Sequence, residues 1–201
     1  LNDDVLFTNQ LDKILDNING YDSTELGQIL NRFNGNIKPF VSSYLFFRES
    51  YEYLTYLLRL ATVLELTDFA YANGNFKGFL ERINLKYSQV DKYSEENLIS
   101  EVKNNISKNF SREDIEQTLR ESGVSNPIIF LNEYLYCKEH GMNFSISGNV
   151  DIEHIMPQSG LNRENIMKDD RYECKDDFYE YAENIGRIIL LGSAINPCIG
   201  D

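Results

Sequence analysis

One unusually apolar segment sets the strongest limit on how this chain of 201 residues can fold. The run YEYLTYLLRLATVLELTDFAYA, residues 51–72, places apolar side chains on almost every face of a helix. Such a helix is stable in water when other helices surround it. Because Glu52, Arg59 and Glu65 interrupt the run, it predicts a buried helix of a bundle rather than a membrane span. We place this central helix at roughly residues 40–73, after Pro39.

The flanking segments also carry helix signals. A first helix over NDDVLFTNQLDKILDNI is expected to end at NGYDST, and STELGQILNRF then begins with a Ser-Thr cap. SEENLISEVKNNISKNF begins with Ser94 as a cap and with acids in its first turn. NPIIFLNEYLYCKEHG begins with Pro127 at the first helical position and ends at Gly141. We therefore predict a mainly α protein in which residues 1–144 form a multi-helix bundle.

The sequence changes character after this helical region. MNFSISGNVDIEHI alternates and contains β-branched residues, which predicts one or two short strands around Gly148. RIILLGSAIN, residues 187–196, predicts a second strand. The polar and acidic insertion between them is expected to be a loop with a short helix. Residues 145–201 are therefore predicted to form a small α+β unit.

His154, one of two histidines in the chain, directly follows Glu153 and lies close to Asp151. Residues 151 and 153 of an extended strand point to the same face, so both carboxylates can reach one cation. Ile155 and Pro157 predict that the strand ends at the histidine, which then projects from a rigid support. Imidazole suits a general base, and carboxylate oxygens suit a hard cation such as Mg²⁺. These residues fit metal-dependent phosphodiester hydrolysis, and a solvated or hydrogen-bonded structural Glu-His pair explains them equally simply.

The segments DIEHIMPQS and ENIGRIILLGSAIN, in this order, resemble the C-terminal nuclease domain of GmrSD-type restriction endonucleases. That domain is an HNH (His-Me finger) module with a His-x-x-Pro motif, here His154 to Pro157, and the resemblance covers residues 150–197. It implies that His154 is the general base and that Asn196 holds the histidine in position. It further implies that Glu153 binds a divalent metal, Mg²⁺ or Mn²⁺, with Asp151 as a weaker candidate ligand.

The same resemblance implies a metal-dependent DNA endonuclease in bacterial restriction and phage defence, acting on foreign DNA that includes modified phage DNA. It implies a ParB-like nucleotide-dependent domain, N-terminal in the same chain or in a partner subunit. An HNH finger has ββα topology, and the sequence ends at Asp201 where the helix should begin, so we expect an incomplete finger. The start at Leu1 leads us to expect part of a longer protein. Arg187 stands where the family has Asn, and its stem is expected to cover the strand.

The net charge of -13 opposes a simple DNA-binding interpretation, because phosphate neutralisation supplies most of the affinity of DNA-binding proteins. It favours an alternative, a catalytically inactive helical scaffold or partner-binding domain with a degenerate HNH finger. RNA instead of DNA as the substrate also stays open. The one modest basic cluster is expected to be a solvated helix face; it comprises Lys103, Lys108 and Arg112.

The remaining candidates are structural. His140 lies beside Gly141 at a predicted helix end, where a cation is favourable. Three cysteines, odd in number and far apart, disfavour a zinc knuckle or a disulfide framework; they are Cys137, Cys174 and Cys198. With no secretory leader in the sequence, they favour a reducing cytoplasm.

Overall fold

The computed structural model describes residues 2–33, 35–48, 50–67, 75–121, 125–146, 150–157, 160–168, 178, 182 and 185–192. The chain is mainly helical and contains a small two-stranded antiparallel sheet near its C-terminus, which confirms the predicted fold class. It divides into two compact units, residues 1–111 and 112–201.

The first unit consists of six helices within its described residues: α1 (Asn2–Asp22), α2 (Glu25–Leu30), α3 (Ile37–Phe47), α4 (Glu52–Leu66), α5 (Asn75–Tyr87) and α6 (Glu95–Asn109). Helix α1 packs against α2 and α3, α3 contacts α5, and α4 contacts both α2 and α6. Helix α4 is buried along most of its length, with core residues Tyr53, Leu54, Leu57, Leu58, Leu60, Ala61 and Leu64. This confirms the buried bundle helix, and no helix of the described ranges is long and apolar enough to cross a membrane.

The prediction of one central helix over residues 40–73 is wrong, because α3 and α4 are separate helices. Arg48 ends α3 with extended backbone torsions of φ -129° and ψ 129°. Ser50 then accepts a hydrogen bond through its Oγ from the backbone N–H of Glu52 at 3.1 Å, which satisfies a donor at the start of α4. Residues 68–73 of the predicted helix lie outside the described residues.

The break between α3 and α4 is held by the buried side chain of Arg48, which is 8% exposed. Its Nε donates to the backbone carbonyl of Tyr87 at 2.8 Å, and its terminal NH2 donates to that of Tyr93 at 2.5 Å. The guanidinium thereby fixes both ends of the loop that joins α5 to α6. A helical continuation at Arg48 is thus replaced by hydrogen bonds to residues much later in the chain.

A carboxylate joins the N-terminal ends of α4 and α6. Ser94 caps α6 in a capping box with Asn97, as predicted, and Glu95 is the first residue of that helix. The carboxylate of Glu95 accepts hydrogen bonds from the Tyr44 hydroxyl at 2.7 Å and from the backbone N–H of Tyr53 at 3.1 Å. Burial, followed by the hydrogen bond to Glu95, raises the pKa of Tyr44 far above its ordinary value.

One predicted helix end in the first unit is confirmed, and another lies later in the chain than predicted. The predicted Ser-Thr cap of α2 is confirmed, because Thr24 accepts the backbone N–H of Gly27 through its Oγ1 at 3.0 Å. Helix α1 continues past Asn19 and Gly20 to Asp22 instead of ending at them. Tyr21, which is 1% exposed, anchors this last turn in the core, so tertiary burial overrides the local break signal.

The second unit contains α7 (Arg112–Glu121), α8 (Asn126–Glu139), strand β1 (Val150–His154), α9 (Gly160–Ile166) and strand β2 (Ile188–Gly192), which a 3-10 turn precedes. Helix α9 confirms the short helix expected in the insertion. Helix α8 begins one residue before Pro127 and ends before Gly141, whose φ of +65° suits glycine. Helix α8 packs against β2, so it belongs to the same compact unit as the sheet. The sequence instead predicts a boundary at residue 144, after this helix, and that boundary stays a prediction.

Candidate active site

Two antiparallel strands form the frame of the candidate site. Val150 pairs with Gly192, and the register continues to His154 opposite Ile188. One further hydrogen bond joins the backbone N–H of Ile155 to the carbonyl oxygen of Arg187 at 2.8 Å. The chain then bends at residues 155 and 156, so the first strand ends at His154, as the sequence predicts.

The strand separates the two acidic residues from the histidine. Asp151 and Glu153 lie on one face of β1, where Glu153 is opposite Ile189, which is 38% exposed. His154 lies on the other face, opposite Ile188, which is 6% exposed and belongs to the core. The two carboxylates and the imidazole are therefore on opposite faces of β1, and all three residues are half-buried.

His154 is half-buried, and its Nε2 atom has almost no contact with solvent. The bend that follows places the histidine at the last position with regular strand geometry. His154 is therefore flanked by the paired strand before it and by the bend at residues 155 and 156 after it.

The carboxylate pair fits the donor chemistry of the implied metal. Mg²⁺ is commonly held by one or two protein carboxylates together with water and substrate phosphate oxygens, and Mn²⁺ accepts the same hard ligands. Asp151 and Glu153 share a strand face at alternate positions, which is what such binding requires of them. In the described part of the chain, no group of three or more His, Cys, Asp and Glu side chains could hold a metal ion.

Asn196, the expected partner of His154, lies outside the described residues, so its proximity to the imidazole stays a prediction. Arg187 precedes β2 and contributes its backbone carbonyl to the last rung of the hairpin. Cys174 and Cys198 also lie outside the described residues, and Cys137 is a buried residue of α8 whose thiol lies 3.8 Å from the carboxylate of Glu133.

The second histidine has the structural position that the sequence predicts. His140 is the C-cap residue of α8. Its Nδ1 lies 2.9 Å from the backbone carbonyl oxygen of Tyr136, and the two rings stack with centroids 4.1 Å apart. His140 satisfies a terminal carbonyl of the helix when Nδ1 carries the proton.

The basic residues noted in the sequence have different kinds of contact. Arg112 pairs with Glu116 of its own helix at 2.6 Å. Lys103 instead lies over the ring of Tyr56, at 4.8 Å from its centroid, and Arg59 lies over the same ring at 4.9 Å. Sequence reasoning missed Arg59 and Tyr56 as polar features of the surface, because only the contact between α4 and α6 brings them to Lys103.

A helical chain that ends in a hairpin, with an acid-histidine pair where the first strand stops, is the arrangement expected of an endonuclease region. The family model of the C-terminal domain of GmrSD restriction endonucleases matches residues 65–201, and the chain belongs to this family. The match includes both strands and the acid-histidine pair at the end of β1. Comparison with curated proteins and with solved structures gave no significant match.

Proposed function

We propose that the hairpin carries an HNH-type active site that hydrolyses phosphodiester bonds of DNA with the help of a divalent metal ion. The observation that carries this proposal is the end of β1 at His154, directly after two carboxylates that share one face. Membership in a restriction endonuclease family supplies the reaction class. A surface Glu-His pair without a function has no need of this support at the end of a strand.

His154 acts as the general base in this proposal. In this role one nitrogen of the neutral imidazole accepts the proton from the attacking water. The other nitrogen donates a hydrogen bond that fixes the ring and its tautomer, and the side-chain oxygen of Asn196 is the proposed acceptor. His154 is the last residue of β1, so its side chain stands at the edge where the regular strand ends.

Glu153 and Asp151 are the proposed metal ligands. Bound Mg²⁺ or Mn²⁺ would offset the negative charge that develops on the phosphate during hydrolysis. The two side chains share one face of β1, so one cation can be reached by both. Glu153, adjacent to the histidine, is the ligand whose loss should reduce cleavage more.

The proposed substrate is foreign DNA, including modified phage DNA, in a bacterial cytoplasm. A ParB-like nucleotide-dependent domain, in the same chain or in a partner subunit, is the proposed source of additional DNA-binding surface. The net charge of -13 supports this division of labour, because a chain with such an excess of acids gains little attraction for DNA from its charge as a whole.

The test is a plasmid-nicking assay with Mg²⁺ or Mn²⁺ on the natural full-length polypeptide. We expect His154→Ala to lower the cleavage rate by about 100-fold or more, the usual contribution of a positioned general base. His140→Ala is the matched control, because it removes the other histidine at a helix end and should leave the rate unchanged. Glu153→Gln should reduce cleavage, whereas Glu164→Gln, at an exposed position of α9, should not.

Equal cleavage by the wild type and by folded His154→Ala would remove this histidine from the mechanism. Undiminished cleavage in excess chelator would show that the reaction does not require a metal ion. A folded wild-type protein that cuts neither DNA nor RNA with either metal would favour the inactive scaffold instead.

A further inference from the structure

Two cations of the first unit lie over one aromatic ring. The guanidinium carbon of Arg59 in α4 is 4.9 Å from the ring centroid of Tyr56, and the Nζ of Lys103 in α6 is 4.8 Å from it. Both cations are exposed, and Tyr56 is half-buried beside them. We call these three residues the cation pair site.

Neither Arg59 nor Lys103 has an acidic residue three or four positions away in its own helix. The helix positions three and four residues away from Arg59 and Lys103 are Thr, Tyr, Val, Ile or Ser. Elsewhere such spacing supplies a partner, as in the pairs Lys77–Glu81 and Arg112–Glu116. Neither cation of the site forms a salt bridge with a described residue. In a chain with 32 acids and 19 basic residues, this positive spot is a departure from the general charge pattern.

The two helices carry their charges in the same order. Glu52 at the start of α4 precedes Arg59 by two helical turns, and Glu96 in the first turn of α6 precedes Lys103 by the same spacing. The hydrogen bond from Tyr53 to Glu95 brings the two N-terminal ends together. The acids therefore lie toward one end of the α4–α6 contact, about 10 Å from the cations along each helix, a distance at which salt screens much of their attraction.

We infer that the cation pair site binds the phosphate backbone of a nucleic acid, an inference that rests on the proposed function. A guanidinium binds phosphate through two parallel hydrogen bonds, and an ammonium adds a compact charge. Arg59 and Lys103 lie 4.9 and 4.8 Å from the same ring centroid, so both positive charges can attract the same segment of a phosphate backbone. The site lies on two helices packed through buried residues, so it needs little ordering to bind; the buried residues are Leu57, Leu60, Leu98 and Val102.

The test measures how the affinity for a fluorescent DNA duplex depends on salt. Fluorescence anisotropy is recorded in EDTA, which prevents metal-dependent cleavage, with the wild type and with the double variant Arg59→Gln/Lys103→Gln. The matched control is Lys38→Gln/Lys77→Gln, which removes the same charge from two cations already paired with Asp22 and Glu81 at 2.6 and 3.9 Å.

We expect the slope of log affinity against log salt to become shallower by about 1 to 2 in the Arg59→Gln/Lys103→Gln variant, because each lost phosphate contact contributes about 0.9. The control should keep the wild-type slope. Each single substitution should produce about half of this change in slope. The single variants therefore test the inference even if circular dichroism shows that the double variant is unfolded. Arg59→Lys should retain most of the slope, since it keeps the charge.

Equal slopes in the wild type and the double variant would overturn the inference, as would absence of duplex binding by the wild type at low salt. Equal loss in both double variants would also overturn it, because net charge alone would then explain the effect. His154→Ala separates this result from the proposed function. This variant should bind with the wild-type slope and fail to cut. If the wild type itself does not cut but Arg59→Gln/Lys103→Gln still changes the slope, only the nuclease proposal is contradicted.

Discussion

Replacing Glu95 by alanine should destabilise the first unit by about 3 kcal/mol, since hydrogen bonds to a charged group contribute about 1.5 to 3 kcal/mol each. The carboxylate accepts the hydroxyl of Tyr44 and the backbone N–H of Tyr53, and both tyrosines are 0% exposed. In Glu95→Ala, these two donors lose their charged acceptor at the end of α4. The loss of a negative charge at a helix N-terminus adds a smaller cost of about 0.5 kcal/mol.

The assay is urea unfolding followed by far-UV circular dichroism, with thermal unfolding in parallel. A loss of this size corresponds to a decrease of roughly 10 °C in the melting temperature of a unit of this length. Glu96→Ala is the matched control, because Glu96 is exposed, lies in the same first turn and should cost less than about 1 kcal/mol. Tyr44→Phe removes one of the two bonds and should cost about 1.5 kcal/mol, between the two other variants.

Equal destabilisation by Glu95→Ala and Glu96→Ala would refute this reasoning, because the effect would then be that of any acid at the helix start. If only Tyr44→Phe lowered the free energy of unfolding, the stabilisation would come from the packing of the tyrosines and not from the carboxylate of Glu95. The result bears on the cation pair site as well, since Glu95 holds together the ends of the two helices that carry it.

Two further predictions follow from burial in each unit. Alkaline pH should unfold the first unit, because burial raises the pKa of the core tyrosines Tyr21, Tyr44 and Tyr53 far above 10. Their contribution to stability is complete below pH 10 and decreases by about 1.4 kcal/mol per pH unit for each tyrosine above it. The loss of circular dichroism should coincide with the rise of tyrosinate absorbance at 295 nm, and ionisation near pH 10 in a chain that stays folded would contradict the burial of these tyrosines. In the hairpin, Ile188→Ala should cost about 3 kcal/mol in urea unfolding. Ile189→Ala should cost less than about 1 kcal/mol, because Ile188 is 6% and Ile189 38% exposed; equal losses would contradict the assignment of the two faces.

Local signals in the sequence predict the elements well where burial agrees with them. The apolar face pattern predicts the buried α4, and the capping residues Ser94 and Thr24 predict the starts of α6 and α2. Alternation predicts a strand where β1 lies, and the apolar run from residue 187 predicts β2. The end of β1 at His154 follows from Pro157 shortly after it, since proline disfavours continuation of a regular strand.

Contacts between distant residues explain what sequence reasoning could not reach. The gap between α3 and α4 depends on Arg48 binding carbonyls 39 and 45 positions later in the chain. No periodicity in the segment signals these bonds, so an uninterrupted apolar pattern predicts one helix. The pairing of Arg59 with Lys103 has the same origin, because each belongs to a different helix and only their packing brings both to Tyr56.

The buried guanidinium of Arg48 also has a practical consequence for dissecting this protein. The family match starts at residue 65, near the end of α4, whereas Arg48 and the helices α1 to α3 precede it. A shortened polypeptide cut at residue 65 would sever α4 and lose the clasp on the α5–α6 loop. Its exposed apolar helix faces would then favour aggregation, so a soluble nuclease region should be expressed from a start before α1 rather than from the boundary that sequence similarity suggests.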